Sequence, residues 1–263
     1  VTKPTGPASL PRNPGGWPNV VAVLGHSGTT GQNSDLARPN QDAPENSWAT
    51  GTNPKVNSIF LRVRANNPQA RAVALGHDGA TVLDFLDQAR QAVRLHPVPD
   101  LFLVQIMDND IVCPASAGAL AAFRNTLIAG LRILSQNAPH AKTFVLSQFG
   151  SPGTQLRTLS HLDRLAAGGT GICDIVDPNG RTVPRKLARL DRTIHRYEAQ
   201  LKAGCMSVAR CVYDGGANGR IVERKGDFSS DNSHLAVQGL AREAAVAWAT
   251  MRRMRVIGPG SAG

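Results

Sequence analysis

Apolar residues along the chain fall into two alternating patterns. Val20–Leu24, Ala70–Leu75, Asp100–Ile106 and Lys142–Leu146 are short, nearly continuous apolar runs. Such runs read as strands buried on both faces. Ser207–Tyr213 is a fifth, weaker run of the same kind. Between them, apolar residues recur at spacings of three and four, the period of an amphipathic helix. The set Val56, Ile59, Phe60 and Val63 predicts a helix over 56–64. Val82, Phe85, Leu86, Ala89 and Val93 predict one over 81–95. Leu120, Phe123, Leu127, Leu131 and Leu134 predict a long helix, with Pro114 at its first position. Leu187, Leu190, Ile194, Tyr197 and Leu201 predict another, opened by Pro184 and ended at Gly204. An Ala-rich stretch over 235–253, carrying Trp248, closes the chain as a last helix.

Strand and helix thus alternate about five times, which predicts an α/β fold with a parallel sheet covered by helices on both faces. The expected organisation is one domain over 19–257, an extended Pro/Gly-rich segment over 1–18 and a tail over 258–263. Two stretches carry no clear period. One is the polar segment 32–57, with a helical turn expected near Glu45–Gly51 and Trp48 packing it down. The other is a Gly-rich region over 154–180, read as variable loop.

Composition narrows the function classes. The 263 residues carry a formal net charge of +10, much of it as Arg on helix faces, such as Arg185, Arg189, Arg192 and Arg196. These read as solvated surface, with attraction to an anionic partner as the sharper alternative. Aromatics are few and not interleaved with basic clusters, so no nucleic acid is expected. No uncharged run approaches the roughly 18 residues of a bilayer span. The first residues show no apolar signal-peptide core and read as the start of a processed chain.

Four cysteines, Cys113, Cys173, Cys205 and Cys211, form no C-x-x-C pair and have no histidine at zinc-finger spacing, so no metal site is expected. Their even number predicts two disulfides and an oxidising compartment. Cys205 with Cys211 and Cys113 with Cys173 is the pairing favoured here, among three connectivities and the alternative of free thiols.

Candidate chemistry collects where strands end, since ligands of open parallel sheets bind beyond the strands' carboxyl ends. The first strand stops at Gly25-His26-Ser27-Gly28, where a small serine between glycines suits a nucleophile. The second runs into Gly76-His77-Asp78-Gly79, the third into Met107-Asp108-Asn109-Asp110. Before the last helix comes Asp227-Phe-Ser-Ser-Asp231-Asn-Ser-His234. Asp78, Asp108 and Asp110 make an acidic cluster, read as hydrogen bonding to loop backbone rather than holding a divalent ion. His77 is a candidate for lining a cleft, whereas His96, His140, His161 and His195 read as structural or solvated.

These four blocks, in this order and each after a predicted strand, resemble the SGNH (GDSL-type) hydrolases over nearly the whole chain. The flanking Glu45-Asn-Ser-Trp-Ala-Thr-Gly51 and Gln148-Phe-Gly-Ser-Pro152 are similar to secreted actinobacterial members. The resemblance implies a flavodoxin-like three-layer α/β/α sandwich. It makes Ser27 the nucleophile, His234 the general base and Asp231 the residue that orients the imidazole. Ser27 and Gly79 backbone N–H groups and the Asn109 side chain would form the oxyanion hole. Two positions depart from the family. His26 stands where an acidic residue usually precedes the serine, and Met107 where a glycine usually opens the third block. Met107 is expected to narrow the site beside the oxyanion hole. His26 is rejected as the base, because neighbouring side chains at a strand end diverge.

The expected activity is hydrolysis of carboxylic esters by a secreted or cell-envelope-associated monomer, without metal or organic cofactor. Acylated envelope polysaccharides or lipids are the expected substrates. An acyltransferase on the same site and a non-catalytic envelope-binding protein are the alternatives.

Overall fold

The central strands are buried along their whole length because helices cover the sheet on both sides. In chain order the computed structural model contains β1 (Val20–Gly25), α1 (Ser27–Thr30), α2 (Ile59–Arg64), β2 (Arg71–Ala74), α3 (Val82–Ala92), β3 (Leu101–Gln105), α4 (Ala117–Asn137), β4 (Lys142–Val145), α5 (Pro152–Thr158), α6 (His161–Ala166), α7 (Pro184–Met206), β5 (Cys211–Tyr213) and α8 (Val237–Arg253). It describes residues 15–168 and 171–260; residues 1–14 of the expected extended segment and 261–263 of the expected tail lie outside them.

All strand pairs are parallel, in the order β2-β1-β3-β4-β5. This is the flavodoxin-like order. Along β1, Ala22 and Leu24 pack with Phe85 of α3, Leu127 of α4 and Tyr197 of α7. The alternate residues Val21 and Val23 pack with Ile59 of α2 and Ala244 of α8. β3 divides the same way, Phe102 and Val104 against Leu101 and Leu103. The result is a three-layer α/β/α sandwich. Of the described helices, α4 is long and apolar enough by composition to cross a membrane. Here its stripe Leu120, Phe123, Leu127, Leu131 and Leu134 is buried in the core.

Three local expectations need correction. Pro114 does not open α4: the helix begins at Ala117, where Ser116 Oγ accepts from the Ala119 N–H at 3.0 Å and caps the free end. Gly204 does not end α7, which runs on to Met206. Its missing side chain serves packing, since a Cβ there would lie 2.9 Å from Leu127 Cδ2, where α4 and α7 cross. The Gly-rich stretch over 154–180 is not simply loop. It holds most of α5, all of α6 and a 3-10 turn at Ile172–Asp174.

Both disulfides, Cys113–Cys173 and Cys205–Cys211, are formed. The polar segment after α1 is packed down rather than loose. Trp48, Ala49 and Val56 are fully buried within it, and its helical turn is a 3-10 turn at Pro44–Asn46.

The order reverses between β1 and β3, so their carboxyl ends diverge and open a crevice. Gly25 is in register with Gln105. The chain segments carrying Ser27 and Asn109 therefore leave the sheet side by side.

Candidate active site

The turn that carries Ser27 is held from beneath. Gly25 has φ +147, and a Cβ at this position would lie 1.9 Å from the Gln105 carbonyl oxygen, so no larger residue fits. The buried Gln88 of α3 clamps Gly25 at both ends. Its Oε1 accepts from the Gly25 N–H at 2.7 Å and its Nε2 donates to the Gly25 carbonyl at 3.0 Å. His26 then caps α1, its Nδ1 accepting from the Gly28 N–H at 3.0 Å. An imidazole nitrogen thus does the capping that a carboxylate could do at this position. His26 Nε2 is 3.6 Å from Asp108 Oδ2, a charge contact too long for a hydrogen bond, and it has no other partner among the described residues. His26 Nδ1 is thus occupied by the Gly28 N–H, and the ring lines the cleft.

Ser27, half-buried, is the first residue of α1. His234 arrives from the loop before α8, which is folded back on itself by a bridge between Phe228 and Leu235 and by the Ser229 N–H donating to the His234 carbonyl at 2.8 Å. This brings His234 Nε2 to 3.0 Å from Ser27 Oγ. His234 Nδ1 lies 2.6 Å from Asp231 Oδ2. With Nδ1 at that carboxylate, Nε2 faces the Ser27 hydroxyl.

Asp231 is held from several sides. Its Oδ1 accepts from Ser229 Oγ at 2.7 Å and from the Ser233 and His234 N–H groups at 2.9 Å each. Its Oδ2 also accepts from Asn33 Nδ2 at 2.7 Å. Burial pushes this carboxyl up, but the hydrogen bonds outweigh it and hold Asp231 well below the usual carboxylate range. The hydrogen bond to Asp231 raises the His234 imidazole above its ordinary value; burial opposes this, and the charges of Asp231, Asp78 and Asp108 add to it.

A cleft of about 910 Å³ opens at Ser27 and His234, and Asn109 lines it as well. Asn109 Nδ2 donates one proton to the Ala80 carbonyl at 2.9 Å, which fixes the amide and leaves its second N–H. Gly79, with φ +72, follows Asp78, which lines the cleft. Among the described residues, neither the Ser27 nor the Gly79 amide donates a hydrogen bond.

The remaining candidates sort out by position. His77 is exposed, bonded to the Asp78 carbonyl and 3.7 Å from Asp84, and does not line the cleft. Met107 does not narrow the site, because its side chain is buried in the apolar core. Asp110 accepts from the Val82 N–H and so caps α3; burial, with the charges of Asp108 and Asp84, pushes it up to about 6. Among the described residues no three His, Cys, Asp or Glu side chains are grouped to hold a metal ion.

Gln105, which lines the cleft, is tied to buried residues behind it that no motif marks. Gln105 Oε1 accepts from Trp48 Nε1 at 2.7 Å, and Gln105 Nε2 donates to Glu243 Oε1 at 2.8 Å. Asn218 Nδ2 donates to the same oxygen at 2.8 Å. Burial pushes the Glu243 carboxyl up to about 8, with Asp108 and Asp214 adding to the shift.

No family model matches the sequence, and no curated protein is similar enough in sequence to match. Solved structures match in fold. The structure of TesA superposes with a TM-score of 0.55 at 14% identity, covering 89% of this chain and 99% of that one. An extracellular lipase from Streptomyces rimosus gives 0.53 at 14% identity, over 88% and 99%. A family 3 carbohydrate esterase from Clostridium thermocellum gives 0.54 at 13% identity, over 89% and 96%. At such identities the likeness is one of fold.

Proposed function

We propose that this chain is a serine hydrolase of carboxylic esters, of the SGNH type, working through an acyl-enzyme on Ser27. The observation that carries this reading is the continuous pair of hydrogen bonds from Ser27 Oγ to His234 Nε2 and from His234 Nδ1 to Asp231 Oδ2, at the mouth of a deep cleft. A lipase and a carbohydrate esterase among the proteins of like fold support the reaction class. Two disulfides favour an oxidising compartment, in keeping with export.

In this reading Ser27 Oγ attacks the ester carbonyl carbon while its proton passes to His234 Nε2. The carbonyl oxygen becomes an oxyanion facing the second N–H of Asn109 and the uncommitted amides of Ser27 and Gly79. Each such donor is worth about 10²–10³ in kcat. Collapse breaks the bond to the alcohol oxygen, which takes the proton from Nε2 and leaves. Water, deprotonated by the same nitrogen, then releases the acid and restores Ser27. Asp231 keeps its charge throughout and stabilises the imidazolium.

Hydrolysis of p-nitrophenyl acetate and butyrate tests this. Wild type is expected to turn over, and Ser27→Ala and His234→Ala to fall to background while melting like wild type. A Ser27→Ala variant as fast as wild type would refute the proposal.

A further inference from the structure

The cleft at Ser27 is acidic in a chain that is strongly basic. The protein has 29 Lys and Arg residues, yet among the described residues no Lys or Arg lines the cleft. Four aspartates do: Asp78, Asp108, Asp163 and Asp231. Two of them are compensated. Asp231 holds His234, and Asp163 accepts from Ser160 Oγ at 2.6 Å and from Asn232 Nδ2 at 3.1 Å. The other two are not. Asp78 is exposed and Asp108 partly exposed, and among the described residues neither carboxylate accepts a hydrogen bond or meets a Lys or Arg. The expectation that this acidic cluster bonds loop backbone therefore holds for Asp110 alone. His26 Nε2 lies 3.6 Å from Asp108 Oδ2, too far for a hydrogen bond, and is itself buried without a partner among the described residues. This side of the cleft is thus lined by polar groups that the protein leaves unsatisfied.

Their places in the chain bear on the reaction. Asp78 directly precedes Gly79, and Asp108 directly precedes Asn109. Gly79 and Asn109 are the residues that meet the oxyanion in the mechanism above. Both carboxylates also act on His234 through their charge. Negative charge therefore builds on the carbonyl oxygen beside two carboxylates that no Lys or Arg neutralises, and each raises the energy of that step. A cation carried by the substrate removes the conflict. It neutralises the carboxylates on binding and attracts the oxyanion as it forms. Resting on the serine-hydrolase reading above, we infer that the substrate is an ester bearing an ammonium group within a few bonds of the scissile carbonyl, recognised by Asp78 and Asp108. Esters of amino alcohols and esters of amino acids share this chemistry.

Pairs of esters of equal shape and different charge test the inference. Acetylcholine against 3,3-dimethylbutyl acetate places a permanent cation on the alcohol arm. Betaine ethyl ester against ethyl 3,3-dimethylbutanoate places it on the acyl arm. Each ratio of kcat/KM is divided by the ratio of the hydroxide-catalysed rates, which removes intrinsic reactivity. A carboxylate a few ångströms from a cation at a protein surface is worth about tenfold or more, so the normalised ratio is expected to exceed about tenfold for at least one pair. The pair that shows it identifies the arm. Asp78→Asn/Asp108→Asn is expected to bring that ratio close to one and to raise kcat/KM on the neutral ester. Raising the ionic strength from about 0.01 M to about 1 M shortens the screening length from about 30 Å to about 3 Å, and is expected to lower the wild-type ratio without any substitution. Normalised ratios near one for both pairs in wild type, or a ratio that the double variant retains, overturn the inference while Ser27-dependent hydrolysis of the neutral esters leaves the serine-hydrolase reading standing. Absence of Ser27-dependent hydrolysis of these four esters and of p-nitrophenyl acetate overturns that reading, and the inference with it.

Discussion

Asn33 Nδ2 donates to Asp231 Oδ2 at 2.7 Å, joining residues 198 positions apart in the chain. The same carboxylate oxygen receives His234 Nδ1, so Asn33 helps fix the carboxylate that holds His234. Asn33 is itself locked. It is buried at φ +57, its N–H donates to the Gln41 carbonyl at 2.9 Å, and its Oδ1 accepts from the Asn40 N–H at 3.0 Å. Asn33→Ala is therefore expected to lower kcat about tenfold with little change in KM. Asn33→Asp, nearly the same shape but a like charge against Asp231, is expected to lose more than Asn33→Ala. Equal kcat for both variants and wild type would remove Asn33 from the site.

The pH profile follows from the Asp231–His234 pair. In the proposed mechanism catalysis needs His234 neutral, and its folded value stands above the ordinary 6.5. The acid limb of kcat/KM is expected above that value. Asp231→Asn removes the largest cause of the shift, so the limb should move to lower pH while kcat falls by about 10³–10⁴. The sign for stability follows the same shift. The raised His234 contributes stability that is fully present below its unfolded value and is lost as pH rises through its folded value. An acid limb that stays in place in Asp231→Asn would contradict the pairing.

Glu243 gives a separate pH effect, on stability alone. Its carboxyl is raised to about 8 by burial, so its contribution is fully present below its ordinary value of 4.5 and is lost as pH rises through about 8. Glu243→Gln stays neutral at every pH and keeps an oxygen for Gln105 and Asn218. The melting temperature of the variant minus that of wild type is expected to become steadily more positive from pH 5 to 8.5. A difference that stays constant would mean that Glu243 does not titrate in this range.

The two disulfides close loops of very different length, with sequence separations of 60 and 6. By the chain-entropy account, opening the longer one costs about 4 kcal/mol and the shorter about 2 kcal/mol. In urea, Cys113→Ser/Cys173→Ser is expected to lose roughly twice the unfolding free energy lost by Cys205→Ser/Cys211→Ser. The reverse order would contradict this account.

The sheet was legible in the sequence because strands buried on both faces leave nearly unbroken apolar runs, as in Val20–Leu24 and Leu101–Val104. Three of the four blocks stood out because each directly follows such a run, and Asp227–His234 stood out by its place before the last helix. The wall of the cleft was harder to read. α5 and α6 have 7 and 6 residues, too few for a helical period to show among glycines and threonines. Their signals were local: Ser151 before Pro152, and Ser160 with Asp163 in a capping box. Asn33, Gln105 and Glu243 left no local signal, since their roles depend on partners such as Asp231 and on Gln105 meeting Glu243, 138 positions away. Met107 was misread for the same reason, because only the packed structure shows its side chain turned into the core.

In the proposed mechanism Ser27 is a nucleophile made reactive by His234. The most direct measurement is mass mapping of the purified protein after treatment with a fluorophosphonate. One adduct is expected, on the peptide carrying Ser27, and it is expected to be lost in His234→Ala. No adduct on wild type, or an adduct on Ser27 that forms equally fast without His234, would contradict it.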